Sequence, residues 1–184
     1  MRRFLPLIVA ITACVGCGQD PGQHSGTGGS TRTKVSGKML SPAFPVAEGK
    51  YQLTDDWSIM LPDKFSRRIE DGSLVLWKPG ITVWVVTFNN DHGESKETRL
   101  ENIRKVISKD SFDVQVMPEK DILRFAYRLK EQADDGRVAA FYGFAFGAEG
   151  HVQLGIYFND EKELELAKKL WLSLDEQPKT VKHN

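Results

Sequence analysis

Cysteine is nearly missing from this 184-residue chain. Only Cys14 and Cys17 occur, and none follows, so the body of the chain has no thiols for a disulfide. Exported domains of modest size often rely on such bridges; this one must stand on its packing. Charge of one sign is missing too, since 25 Lys plus Arg balance 25 Asp plus Glu. That balance argues against a nucleic-acid binder, which needs a basic surface to neutralise phosphates. No apolar run reaches the ~20 residues that span a bilayer as a helix. Collagen-like, coiled-coil and wholly disordered classes fail on the 40% hydrophobic and 27% charged content. Sequence signatures of catalysis are also absent: no GxSxG, P-loop or GxGxxG occurs.

What is present begins with an address. Met1-Arg2-Arg3 is a short basic start, followed by the apolar run Phe4 to Ala13 and small residues, the pattern of a secretory signal. Ile11-Thr12-Ala13-Cys14 and Cys14-Val15-Gly16-Cys17 both resemble the lipobox of bacterial lipoproteins. The resemblance implies cleavage before a cysteine that then carries a diacylglycerol and an N-acyl chain, with no other cofactor. Cys14 has Ile at the third position before it, whereas Cys17 has the fuller apolar core and Gly16 immediately before it. Cys17 is preferred and Cys14 stays open. A CxxC redox pair would need a strand before and a helix after it, and a zinc site would need further ligands nearby. Each buried methylene contributes ~0.8 kcal/mol, so three acyl chains anchor effectively irreversibly. Neither cysteine is followed by Asp, the inner-membrane retention signal of enteric bacteria, so the resemblance implies an outer-membrane anchor facing the periplasm.

Residues 18–37 read GQDPGQHSGTGGSTRTKVSG, too polar and glycine-rich to offset the entropy of ordering. Aromatic residues mark where the tether ends, because seventeen of the eighteen lie from Phe44 onward. The expected organisation is a signal peptide over 1–16, a lipidated N-terminus and tether over 17–48, one domain over 49–176, and a flexible tail over 177–184. Loss of Arg2 and Arg3 with the signal would leave 23 positive and 25 negative charges.

Within the domain, Tyr51 to Leu61 reads as a short opening strand pair ending at Pro62. Ser66–Glu70 and Ser73–Lys78 flank Asp71-Gly72, a dipeptide that favours a tight hairpin. Lys78-Pro79-Gly80 turns into Ile81–Phe88, apolar on both faces and therefore central. Residues 94–108 read as a helix capped by Ser95, with Leu100, Ile103 and Ile107 on one stripe. Strands follow over Leu123–Glu131, Val138–Phe146 and Val152–Phe158, with turns at Asp135-Gly136 and Glu149-Gly150. A last helix opens at Asp160 with Glu163 three residues on, a capping box in form, and carries Leu164, Ala167, Leu170, Trp171 and Leu174. The fold class is α+β: one antiparallel sheet of about six to seven strands flanked by two helices.

The order of four strands, helix, about three strands and helix resembles the PsbP-like fold, shared by an extrinsic photosystem II protein, a Ran-binding nuclear import factor and bacterial DcrB-like lipoproteins. Trp57-Ser58-Ile59-Met60-Leu61-Pro62, Asp71-Gly72, Leu74-Val75-Leu76, Ile156-Tyr157-Phe158 and the stripe Leu164 to Leu174 carry the resemblance. It implies binding or adaptor work and assigns no catalytic residue.

Chemistry has few candidates. His92 in Asn89-Asn90-Asp91-His92-Gly93 has no second histidine at ligand spacing, and Asp134-Asp135-Gly136 lacks the spaced carboxylates of a calcium loop, so both read as turns. No metal ligand set and no catalytic residue is assigned. Tyr142, Phe144 and Phe146 alternate onto one sheet face, against Phe141, Gly143 and Ala145, whose small members permit close approach of a helix or ligand. Arg124, Arg128 and Lys130 lie on the polar face of their strand, a solvated face or a partner surface. The leading expectation is a non-enzymatic scaffold or protein-binding domain, tethered in the cell envelope beside a protein partner. The alternative is a carrier of small apolar ligands under a helix, lined by Tyr142, Phe144 or Phe146. A third reading is an envelope hydrolase with an unrecognised site near His92 or His151.

Overall fold

A computed structural model describes residues 44–131 and 138–177. Eight strands and two helices follow one another as β1 (Val46–Gln52), β2 (Trp57–Glu70), β3 (Ser73–Lys78), β4 (Ile81–Asn89), α1 (Lys96–Arg104), β5 (Phe112–Pro118), β6 (Leu123–Leu129), β7 (Ala140–Phe146), β8 (Gly150–Phe158) and α2 (Leu164–Leu172). A two-residue strand, β9 (Asp175–Glu176), closes the order. The strands form one open antiparallel sheet in the order β1-β2-β3-β4-β8-β7-β6-β5, with β9 pairing to the start of β2.

Local chemistry accounts for the well-marked parts. Asp71 and Gly72 both adopt positive φ, 49° and 79°, as a two-residue hairpin demands of its central pair. Gly80, after Pro79, has φ 89° and turns β3 into β4. Because both its faces are apolar, β4 sits mid-sheet between β3 and β8. Ser95 caps α1 by accepting a hydrogen bond from the Thr98 amide at 3.1 Å. Asp160 accepts from the Lys162 amide and opens a short 3-10 turn that leads into α2. The Glu163 side chain makes no cap bond, so only one half of the capping box forms.

The strand count exceeds the expected six to seven. Two of the additions are β5 and β9, and the opening pair is longer than its pattern suggested, with β1 starting at Val46. In β5 nearly every residue is exposed, so it shows no buried face for periodicity to reveal. Pro62 does not end β2. The register with β1 jumps from Ala47↔Phe65 to Gly49↔Leu61, so Pro62 lies in a bulge where no ladder bond is asked of it.

The two helices lie on opposite faces of the sheet. α2 touches β2, β7 and β8. β2 and β7 are four places apart in the sheet, so the sheet must curl around α2 to bring both to it. That concave face holds the larger core: Trp57, Ile59, Leu61 and Phe65 from β2, Leu76 from β3, Val83 and Val85 from β4, Leu154 and Ile156 from β8, and Leu170 and Trp171 from α2. Helix α1 touches β6 and β7 on the other face, over Phe125, Tyr127, Tyr142, Phe144 and Phe146.

Candidate functional site

The α1 side of the sheet is only partly roofed. A nine-residue helix is about 14 Å long, whereas eight strands at ~4.8 Å spacing extend over roughly 34 Å. The register places Val75 and Trp77 of β3, Thr82, Trp84, Val86 and Phe88 of β4, and His151, Gln153, Gly155 and Tyr157 of β8 on this face. Trp77, Trp84 and Tyr157 are half-buried, and Phe88 is 42% exposed. Phe44, just before β1, meets the Trp77 ring edge-on at 4.9 Å. The Arg68 guanidinium lies 5.0 Å from the same ring while paired with Glu70.

Beneath α1 the aromatic face is filled. Phe144 stacks on Phe146 with centroids 6.1 Å apart, and Tyr127 stacks on Tyr142 at 5.0 Å. Both phenylalanines are buried. At the far end of these strands the Tyr142 hydroxyl donates to Glu131 Oε1, Tyr157 donates to the same oxygen at 3.3 Å, and the two hydroxyls lie 3.0 Å apart. Burial, then the bond to Glu131, raises the Tyr142 pKa far above the ordinary tyrosine value; burial pushes Tyr127 up to about 12. Both phenols therefore stay neutral donors across the physiological range.

Arg124 and Arg128 occupy the opposite face from Tyr142, Phe144 and Phe146, so the structure does not join these residues into one site. Both arginines are buried, and the solvated-face reading of them is corrected. Arg124 donates to the carbonyls of Trp171 at 3.1 Å and Leu174 at 2.9 Å, and Nε reaches Glu119 at 3.1 Å. Arg128 donates to the Ala139 carbonyl at 2.9 Å and to Glu161 at 2.8 Å, and stacks near Phe112 and Phe158. Their charge is spent inside the fold.

His151 is clamped between Phe88, stacked at 4.5 Å, and Phe146 at 5.2 Å. Burial, assisted by the charge of Arg99, lowers its pKa to about 4. The unfolded chain therefore binds more protons than the folded one between about pH 4 and 6.5. Stability should be full above pH 6.5 and fall by about 3 kcal/mol as pH drops to 4. His151→Phe keeps a stacking ring and removes the titration, so it should flatten urea-midpoint curves across that window; an unchanged curve would refute the assignment.

Arg99 of α1 is buried beside this stack and donates to the Gly147 carbonyl. Glu176 of β9 closes the same end, accepting from the Ala148 and Glu149 amides at 2.8 Å each. Nothing in the sequence around Glu176 announces this latch. His92 lies on an exposed turn whose shape is set by Asn90, which bonds Glu94 and the Ala148 carbonyl. Among the described residues no three His, Cys, Asp or Glu side chains are placed to hold a metal ion. Asp134-Asp135-Gly136, Cys14, Cys17 and residues 17–43 of the tether lie outside the described residues, whereas its last residues, 44–48, are described and lead into β1. An open hollow of about 160 Å³, lined by residues including Leu53, Ile69, Leu74 and Val85, is below the 300–1,000 Å³ usual for ligand pockets.

The half-exposed aromatics of β3, β4 and β8 escaped the sequence reading, which took Trp84 as part of a strand buried on both faces. Helix length was the available signal, since two short helices cannot cover both faces of so wide a sheet. The fold and site thus define an α+β domain with one open antiparallel sheet and a partly bare aromatic face. No protein-family model matches the chain, and no curated protein matches it either.

Proposed function

We propose that this is a lipid-anchored cell-envelope protein whose domain is a non-enzymatic binding module for a protein partner, held near the membrane by its tether. The observation that carries this reading is the uncovered aromatic half of the α1-side face. Trp and Tyr rings combine a large apolar surface with a hydrogen-bonding edge, the chemistry enriched at protein interfaces. The indole N–H groups of Trp77 and Trp84 bond to none of the described residues, which suits them to a partner's carbonyls. The order of four strands, helix, four strands and helix supports the PsbP-like resemblance as part of the same proposal. The protein-binding reading is preferred to a carrier of small apolar ligands because Phe144 and Phe146 are buried in one cluster with Leu100 of α1.

The test places a photo-crosslinking residue at Trp84 in the anchored protein in cells, with Glu165 on α2 as the control. A single dominant adduct from position 84, absent from position 165, is expected. Equal labelling at the two positions, or none at 84, would sink the reading. Replacing both Cys14 and Cys17 with alanine should release the protein from pelleted membranes, and a double variant that still pellets refutes the anchor.

A further inference from the structure

One carboxylate stands at the rim of the aromatic face. Glu131 is exposed, and its Oε1 accepts from the hydroxyls of both Tyr142 and Tyr157, which fixes the group beside their rings. Hydroxyl donors solvate such a charge without neutralising it. Among the described residues Glu131 has no cationic partner, and Arg68, on the same face, is already paired with Glu70. Next to this carboxylate the face dips. Across the strands the register runs Tyr127, Tyr142, Gly155, Trp84, so the glycine of β8 interrupts a row of rings. A Cβ at position 155 would lie 3.7 Å from Tyr142 Cε1, 3.7 Å from Tyr157 Cε2 and 3.9 Å from Trp84 Cβ, all ordinary contact distances. Neither crowding nor a positive φ therefore asks for glycine here, in contrast to Gly143 and Gly72. The missing side chain leaves a shallow seat between Tyr157 and Trp84, both half-buried, with Glu131 at one end.

We propose that this seat takes an arginine side chain of the partner protein, its stem lying across Gly155 against Trp84 and Tyr157 and its guanidinium on Glu131. The inference rests on reading this domain as a protein-binding module, and it names what the partner must present. Charge decides the occupant. A partner that covered the aromatic face with apolar or acidic side chains would bury Glu131 uncompensated, which is strongly unfavourable. A cation at the same place gains both the carboxylate and the faces of the surrounding rings. Arginine suits the seat better than lysine, because its planar head stacks on aromatic rings while it forks a carboxylate. The spacing agrees: Tyr142 and Trp84 are two strands apart, ~10 Å, a span that one long side chain covers from the indole to the carboxylate.

The experiment titrates the full chain, held in detergent micelles, with the capped tripeptide acetyl-Gly-Arg-Gly-amide. NMR follows the indole N–H of Trp84 and the backbone amide of Gly155, and saturable shifts at both are expected. The citrulline analogue keeps the shape of arginine without its charge and should bind about tenfold more weakly. The lysine analogue should bind about threefold more weakly. Glu131→Gln should weaken the arginine peptide about tenfold, with the melting temperature little changed because the group is exposed. Gly155→Ala raises the floor of the seat by one methyl and should weaken binding about threefold, while the melting temperature holds or rises. Absence of shifts, a citrulline or lysine peptide that binds as tightly, or a Glu131→Gln or Gly155→Ala chain that binds like its parent would each overturn the proposal. The crosslink at position 84 separates the two ideas. A dominant adduct there without arginine binding keeps the binding-module reading and removes this inference. Arginine binding without an adduct removes the binding-module reading itself.

Discussion

Trp171→Ala should destabilise the domain by about 3–5 kcal/mol, read as a shift of the urea midpoint with the slope unchanged. The indole is buried at the centre of the concave core, edge-on to Phe141 at 5.7 Å, and its Nε1 donates to the Phe144 carbonyl at 2.9 Å. Truncation removes the apolar contacts, opens a cavity and takes a donor from a buried carbonyl. The same contact explains why position 143 is glycine. A Cβ there would stand 2.6 Å from Trp171 Cδ1 and 2.9 Å from Cγ, against a ring that cannot retreat into a filled core. Gly143→Ala should therefore cost roughly 1–3 kcal/mol in the parent chain and much less beside Trp171→Ala. The resulting coupling, favourable to the double variant, is the sharper measurement, because two independent losses would simply add. Additive costs would show that the indole and Gly143 do not meet.

Gly143 also shows how far a sequence can be read. Alternation along Phe141–Phe146 correctly separates Phe141, Gly143 and Ala145 from Tyr142, Phe144 and Phe146, and a small residue among large ones signals close approach. The Asp71-Gly72 turn, the central place of β4 and the Ser95 cap were legible because each depends on neighbouring residues. Periodicity groups residues by face but does not say what covers that face. Trp84 looked buried because its strand is apolar on both sides, yet α1 is too short to reach it. Arg124 and Arg128 alternate with apolar residues as solvated side chains do, yet their partners lie as far as fifty residues away in sequence. β5 stayed hidden for the converse reason: an edge strand with no buried face leaves no pattern. Glu176 depends on amides of the β7–β8 turn, which only the folded chain brings to it.

Arg124 supplies the second large effect. Arg124→Met should cost about 3–5 kcal/mol, the range for leaving buried polar partners uncompensated, and lower the melting temperature by roughly 10–20 °C. The methionine retains much of the apolar volume, so the loss would come from the guanidinium. Its two terminal nitrogens hold the Trp171 carbonyl in the last turn of α2, which otherwise accepts only a long 3.3 Å bond from the Leu174 amide, and the Leu174 carbonyl just beyond the helix. A cation there also meets the negative end of the helix dipole. Lysine cannot reproduce a fork that reaches two carbonyls and a carboxylate together, so Arg124→Lys should recover only a small part of the loss. Glu119→Gln removes the partly exposed carboxylate and should cost no more than ~1 kcal/mol. The contrast locates the energy: if Arg124→Met cost no more than Glu119→Gln, the surface ion pair rather than the helix carbonyls would be what Arg124 serves. The structure places its weight on the carbonyls. They fasten α2 to β6, and α2 fills the curl of the sheet, so losing them should loosen the concave core as a unit while the hairpin of β3 and β4 keeps its local turn chemistry.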